Sequence, residues 1–155
     1  MTGFLVREAR AGDEPQWRRL WRAYCDFYAV TVAPEVTSEL WRRILDESSP
    51  IHAIVAEAGA DAASGPHSFG FAHYVLHPFT WGTEPICYLE DLFVEEGARG
   101  EGLGGALIQE LIGLCEEKGW PRLYWHTHQD NQVARSLYDK FAPVDPFVRY
   151  VVRLR

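Results

Sequence analysis

One segment limits the possible folds more than any other: the apolar run Tyr88-Leu89-Glu90-Asp91-Leu92-Phe93-Val94 and, four residues on, Arg99-Gly100-Glu101-Gly102-Leu103-Gly104-Gly105. An apolar strand there delivers a glycine-rich turn, and the turn opens a helix. Leu103, Leu107, Ile108, Leu111, Ile112, Leu114 and Cys115 recur at three- and four-residue spacing, so periodicity supports the helix without the glycines. The first amides of such a helix have no partner within it. Glycines let a phosphate approach that backbone closely, and the helix dipole favours its charge.

Gly100-x-Gly102-x-x-Gly105 also satisfies the dinucleotide-binding pattern, but the context does not fit. The loop lies two-thirds along the chain, and the residue twenty positions past Gly105 is Trp125 rather than an acid. No Gly-Lys-Ser/Thr follows for a nucleoside triphosphate loop. Two readings remain for the loop alone: an anion cradle, or a surface turn that merely starts a helix.

A second constellation bears on that choice. The helix stops at Lys118-Gly119 with Pro121 beyond it, and Arg122 to Thr127 reads as a buried strand. Next comes Asn131-Gln132-Val133-Ala134-Arg135-Ser136-Leu137-Tyr138-Asp139-Lys140-Phe141. Asp130 or Asn131 can cap this helix, and Val133, Ala134, Leu137, Tyr138 and Phe141 form its apolar face. Arg99-x-x-Gly102-x-Gly104 is similar to the coenzyme A pyrophosphate loop of the GNAT superfamily of N-acetyltransferases, and Asn131 to Lys140 resembles that superfamily's Asn-x-x-Ala-x-x-Leu-Tyr-x-Lys element. The Tyr88 to Val94 string resembles the diamine (spermidine/spermine) acetyltransferases and small fungal histone, polyamine or D-amino-acid acetyltransferases. One departure is visible: Ala142-Pro143 follow Phe141 where many members carry a Gly-Phe pair.

The resemblance implies acetyl-CoA as acetyl donor, with no metal, and a coenzyme site of Leu92, Phe93, Val94, Arg99, Gly100, Glu101, Gly102, Leu103, Gly104, Gly105, Asn131, Ala134, Ser136, Tyr138 and Lys140. It also places Glu90 as the base, acting directly or through water, and Tyr138 as the acid. The chemistry calls for both. An alkylamine near pKa ~10 is protonated at neutral pH and must lose a proton before attack, while the departing thiolate must gain one. The amide of Leu92 is the candidate donor to the developing oxyanion. Each has a plainer reading, Glu90 as a solvated strand carboxylate and Tyr138 as an aromatic core residue. Alternation sends Glu90 and Asp91 to opposite faces, so one of them reaches the acceptor. Tyr24, Asp26, Tyr28, His77, Trp81 and His126 are candidates for the acceptor pocket. His126-x-His128 has metal-compatible spacing but no evident further ligands, so pocket lining or surface is the simpler role.

Composition fits an enzyme of this kind. The 155 residues suit one domain, and no run of eighteen apolar residues or basic-then-apolar leader occurs, so the expectation is a cytoplasmic protein without a membrane partner. Three cysteines without a Cys-x-x-Cys pair read as buried thiols. A net charge of −7 disfavours nucleic acid and suits a cationic amine, small molecule or peptide, although acidity for solubility alone would look the same.

Elsewhere Phe4 to Arg7 reads as a strand, and Asp13-Glu14-Pro15 starts a helix bearing Trp17, Leu20, Trp21, Tyr24 and Tyr28. A second helix begins near Thr37 or Ser38 and turns Leu40, Trp41, Ile44 and Leu45 inward. Strands follow at Ile51 to Glu57, Phe69 to Leu76, Ile86 to Val94 and, last, Phe147 to Leu154, with a hairpin loop at Ala58 to Pro66. The expected fold is α/β, a mixed central sheet flanked by about four helices. The aromatic-rich N-terminal helices and the resemblance suggest a homodimer. The remaining alternatives are another small acceptor, a protein or histone tail, and a coenzyme-binding sensor without catalysis.

Overall fold

A computed structural model describes residues 3–58 and 67–155. The order is β1 (Phe4–Glu8), α1 (Glu14–Phe27), α2 (Pro34–Leu45), β2 (Ile51–Ala58), β3 (Ser68–His77), β4 (Ile86–Val94), α3 (Leu103–Lys118), β5 (Leu123–Trp125) and α4 (Gln132–Tyr138). The strands form one sheet in the order β1-β2-β3-β4-β5, antiparallel except for the parallel β4–β5 pair. This is the expected α/β architecture of a mixed sheet with four helices. No helix among the described residues is long and apolar enough to cross a membrane.

Each face of the sheet is buried by a different set of helices. Ile54, Ala72, Cys87 and Leu89 pack under α3 with Leu103, Leu107, Ile108 and Leu111. Ala53, Val55, Phe71 and Phe93 pack under α1 and α2 with Trp17, Leu20, Trp41 and Ile44. The three cysteines are buried free thiols. Glycine ends α3 as the sequence predicts: Gly119 is left-handed at φ 76°, and the Trp120 amide donates to the Cys115 carbonyl at 3.0 Å.

Several expectations need correction. Residues 142–155 form no strand; an alternating segment becomes a strand only by hydrogen bonding to an edge, and this one pairs with nothing among the described residues. Phe147, Tyr150 and Leu154 are accordingly 87%, 91% and 85% exposed. Helix α2 begins at Pro34, whose fixed φ suits the first helical position, rather than at Thr37, and Leu45 at its last turn is exposed. The predicted buried strand at Arg122 to Thr127 shrinks to three half-buried residues because β5 is an edge strand. Val133 points to solvent, since α4 is a short helix with only one side against α3. Residues 59–66 of the expected hairpin loop lie outside the described residues.

Candidate active site

The site is built around an irregularity in β4. Asp91 pairs with His73 and Leu89 with Tyr74, so Glu90 is an extra residue without a partner on β3. The bulge reverses the alternation. Before it, Cys87 and Leu89 face α3; after it, Leu92 and Val94 do, and Phe93 joins the core under α1 and α2. Glu90 and Asp91 therefore line the same cleft, contrary to the expectation from simple alternation.

The backbone reverses in the same way. The Cys87 amide donates toward β5, to Arg122 O at 2.9 Å, whereas the Glu95 amide donates toward β3, to Phe69 O at 2.8 Å. Both positions are odd-numbered, so an uninterrupted strand would send them to one side. Beyond the bulge it is the amides of Leu92 and Val94 that face the β5 side, and β4–β5 pairing has already stopped at Leu89–Trp125. The two parallel strands thus part at the bulge, leaving an opening in which the amides on the β4 wall have no partner among the described residues.

The glycine loop closes the end of this opening. Gly100 and Gly102 are left-handed at φ 85° and 84°, conformations that L side chains rarely adopt. Gly102 also caps α3; the first intrahelical bond runs from the Ala106 amide to Gly102 O at 2.9 Å, so the amides of Leu103, Gly104 and Gly105 precede the ladder. A Cβ at Gly104 would stand 3.1 Å from the Leu137 side chain, so glycine there allows α4 to close on α3. Arg99 donates from Nε to Val94 O at 3.0 Å while its guanidinium lies over the Phe27 and Phe93 rings, 5.2 and 5.7 Å from their centroids. A cation, bare glycine backbone and a helix N-terminus fit the diphosphate of a coenzyme.

Helix α4 supplies the opposite wall. Asn131 caps it, its Oδ1 accepting the Ala134 amide at 3.3 Å, so its side chain has a structural task. Tyr138 is half-buried with its ring edge-on to Trp125 at 5.5 Å. Burial, with a smaller contribution from the Tyr28 phenol, raises the Tyr138 pKa, so the hydroxyl holds its proton at neutral pH. Ser136 donates to Gln132 O at 2.8 Å and, like Glu101 and Lys140, is exposed; Leu103 is buried, and Ala134 is half-buried.

On the Glu90 and Asp91 side lies an open cleft of about 540 Å³ between α1, α2 and β4. Four carboxylates reach it, Glu90, Asp91, Glu35 and Glu39, together with one cation, Arg43. Glu39 is already paired with Arg42 and Arg43, and the Arg42 hydrogen bonds hold its carboxyl down at about 2. Glu90 lies differently: burial at the cleft floor, reinforced by the adjacent Asp91 charge, pushes its carboxyl above the usual glutamate range, although the residue remains open to solvent. That combination suits a proton acceptor.

Asp91 is held from two sides. Tyr24 donates its hydroxyl to Oδ1 at 2.6 Å, and His73 Nδ1 lies 2.9 Å from Oδ2. His73 is 1% exposed, and its Nε2 receives the indole N–H of Trp17 at 2.9 Å. Sequence reasoning identified Tyr24 but missed His73, Trp17, Glu35, Glu39 and Arg43. A histidine inside the apolar run Phe71-Ala72-His73-Tyr74-Val75 was the available signal for the first.

The other candidates scatter. His126 Nδ1 lies 3.3 Å from the Tyr88 hydroxyl, and His77 Nε2 lies 2.7 Å from the Tyr124 hydroxyl. With the stacked Tyr88 and Tyr124 rings they form a polar-tipped aromatic row on the Glu90 face of the sheet. Tyr28 packs on Tyr24 at 4.9 Å at the mouth of the site. Asp26 and Trp81 are exposed, the latter beside the Phe79 ring. His128 reaches Asp130 at 3.6 Å, and among the described residues no three His, Cys, Asp or Glu side chains converge as metal ligands.

The chain is similar to known proteins in sequence and in fold. The acetyltransferase (GNAT) family matches residues 16–142. The D-amino-acid N-acetyltransferase HPA3 of Saccharomyces cerevisiae is 34% identical over 89% of this chain and 83% of its own length. The thialysine N-epsilon-acetyltransferase of Bos taurus is 28% identical over 94% of this chain and 86% of its own length. Among solved structures, a ribosomal-protein-alanine N-acetyltransferase from Brucella melitensis biovar Abortus 2308 superimposes with a TM-score of 0.79 over 98% of this chain and all of its own, at 20% identity, a likeness of fold.

Proposed function

The chain belongs to the acetyltransferase (GNAT) family, and we propose that it acetylates the primary amine of a small cationic acceptor, with acetyl-CoA as donor, by direct attack in a ternary complex. The observation that carries this reading is the bulge that turns Glu90 and Asp91 into one acidic cleft beside the opening between β4 and β5. The D-amino-acid and thialysine acetyltransferases among its relatives favour an acceptor of amino-acid size.

In this mechanism bound acetyl-CoA supplies an activated acyl group. Arg99, Gly100, Gly102 and the first amides of α3 hold its diphosphate. The anionic pair Glu90–Asp91 draws the ammonium into the cleft, and Glu90 takes its proton, directly or through one water, leaving a free amine to attack. The Leu92 amide donates to the oxygen on which negative charge develops, at no cost in reorganisation because β4 already holds it in place. Tyr138 gives its phenol proton to the leaving sulfur, and the second proton, which the nitrogen sheds as the amide forms, passes through solvent to restore the phenol, while Glu90 releases the first to solvent. Loss of coenzyme thioester in the presence of mixed amines tests the reading; a folded protein that binds acetyl-CoA and consumes none would be a binding module instead.

We further propose a homodimer, carried by the C-terminal segment rather than by the N-terminal aromatics, most of which are used inside the chain. Val148, Tyr150, Val152 and Leu154 stand at alternating positions, which would share one apolar face if the segment paired as a strand, and all are largely exposed. That face is a liability for an isolated copy in water. A second copy suits it: Arg149, Arg153 and Arg155 give the segment a positive charge opposite to the chain's net −7, and the outer edge of β5 is unpaired among the described residues. The three buried free cysteines fit a reducing compartment such as the cytoplasm.

A further inference from the structure

His73 is the most deeply buried ionisable side chain beside the site, and the reaction as derived above does not use it. Its two ring nitrogens face different partners. Trp17 Nε1 can only donate, so at 2.9 Å His73 Nε2 must accept. In the neutral ring the hydrogen is then on Nδ1, and Nδ1 donates to Asp91 Oδ2 at 2.9 Å. Tyr24 donates to the other oxygen, Oδ1, at 2.6 Å. Trp17 is completely buried, so the tautomer is set from within the core.

We propose that His73 is a positioning residue for acceptor recognition: with its tautomer fixed by Trp17, it holds the Asp91 carboxylate in the orientation that presents negative charge to the acceptor ammonium. The proposal rests on the acceptor reading of the acidic cleft. A carboxylate with one donor removed would rotate about its side-chain torsions, and the cleft would lose a fixed charge next to Glu90. Tyr24 alone cannot prevent this, because a single hydroxyl fixes one oxygen and leaves the plane of the carboxylate free. The chain Trp17–His73–Asp91–Tyr24 thereby links α1, β3 and β4 to one point in the cleft.

Two substitutions separate positioning from simple core stability. His73→Asn places an amide N–H near the position of Nδ1, keeping the donor to Asp91 and losing the acceptor for Trp17. His73→Gln places its amide oxygen near the position of Nε2, keeping the acceptor for Trp17 and losing the donor to Asp91. Each loses one buried hydrogen bond, so a purely structural role makes them alike. The positioning role makes them differ. His73→Gln should raise the acceptor KM about tenfold, the size of one hydrogen bond to a charged group, with acetyl-CoA affinity unchanged. His73→Asn should keep KM within about threefold of wild type. Equal effects of the two, or the reverse order, would overturn the proposal. Asp91→Asn distinguishes the underlying reading: an unchanged acceptor KM there would reject the role of Asp91 itself, whereas a raised KM with equal His73 variants would reject only the positioning role. Should either variant fail to fold, the nitrogen-resolved NMR spectrum of the wild-type histidine rings decides. A hydrogen on Nδ1 and a lone pair on Nε2 of His73 are expected, and the opposite tautomer would overturn the assignment.

Discussion

Glu90 and Asp91, adjacent in sequence, face the same cleft because the register of β3 with β4 gives Glu90 no partner. Two carboxylates so placed cannot behave alike. Asp91 accepts hydrogen bonds on both oxygens, whereas Glu90 has no hydrogen-bonding partner among the described residues and has a raised affinity for protons. One is held in place by two donors, and the other stands without a partner among the described residues and binds a proton more readily than an ordinary glutamate.

The Tyr138 hydroxyl is testable by removal alone. Tyr138→Phe keeps the ring on Trp125 and should lower kcat by about 10²-fold, the usual size of a general-acid contribution, with little change in acetyl-CoA affinity. Steady-state kinetics with a chemistry-limited acceptor measures it. Wild-type turnover would reduce Tyr138 to a packing residue.

The glycine loop makes a prediction in two observables. At φ 84° a β-branched residue is strained, so Gly102→Val should cost about 1–3 kcal/mol of stability. It should also weaken coenzyme binding, because the added methyls stand where the diphosphate approaches. Thermal unfolding reads the first and calorimetry the second. A folded Gly102→Val protein with undiminished coenzyme affinity would place the coenzyme elsewhere.

Removing residues 146–155 tests the association. The full chain should scatter light as a dimer at micromolar concentration, and the shortened chain as a monomer. A full-length monomer, or a dimer that survives the truncation, would contradict the assignment to the C-terminal segment.

Most of the framework was legible in the sequence because it is locally determined. The glycine loop, the periodic face of α3, its glycine stop and the Asn131 cap are each fixed by residues within a few positions. What was not legible depends on partners far along the chain. The bulge at Glu90 exists only relative to His73 and Tyr74 on β3, so alternation within β4 gave the wrong face for one carboxylate. The orientation of His73 depends on its hydrogen bond from Trp17, fifty-six positions away. The segment from Phe147 to Leu154 has a strand's pattern but pairs with no edge among the described residues. A pattern specifies which face would be apolar; it does not supply the neighbour.

The central claim is that a cationic amine enters the acidic cleft and loses a proton to Glu90 before acetyl transfer. Purified protein with acetyl-CoA and a panel of primary amines, including D- and L-amino acids, lysine analogues and polyamines, should give an acetylated product detectable by liquid chromatography and mass spectrometry. For the best acceptor, kcat/KM should fall as pH drops through the raised Glu90 pKa, since only the carboxylate accepts a proton. Glu90→Gln should lower the rate by about 10²-fold at neutral pH, and by less as pH approaches ~10, where the amine deprotonates unaided. Acetylation of a cationic amine with a Glu90→Gln deficit that narrows at high pH is the predicted result. No product from any amine, or a Glu90→Gln enzyme equal to wild type across the pH range with chemistry limiting the rate, would contradict it.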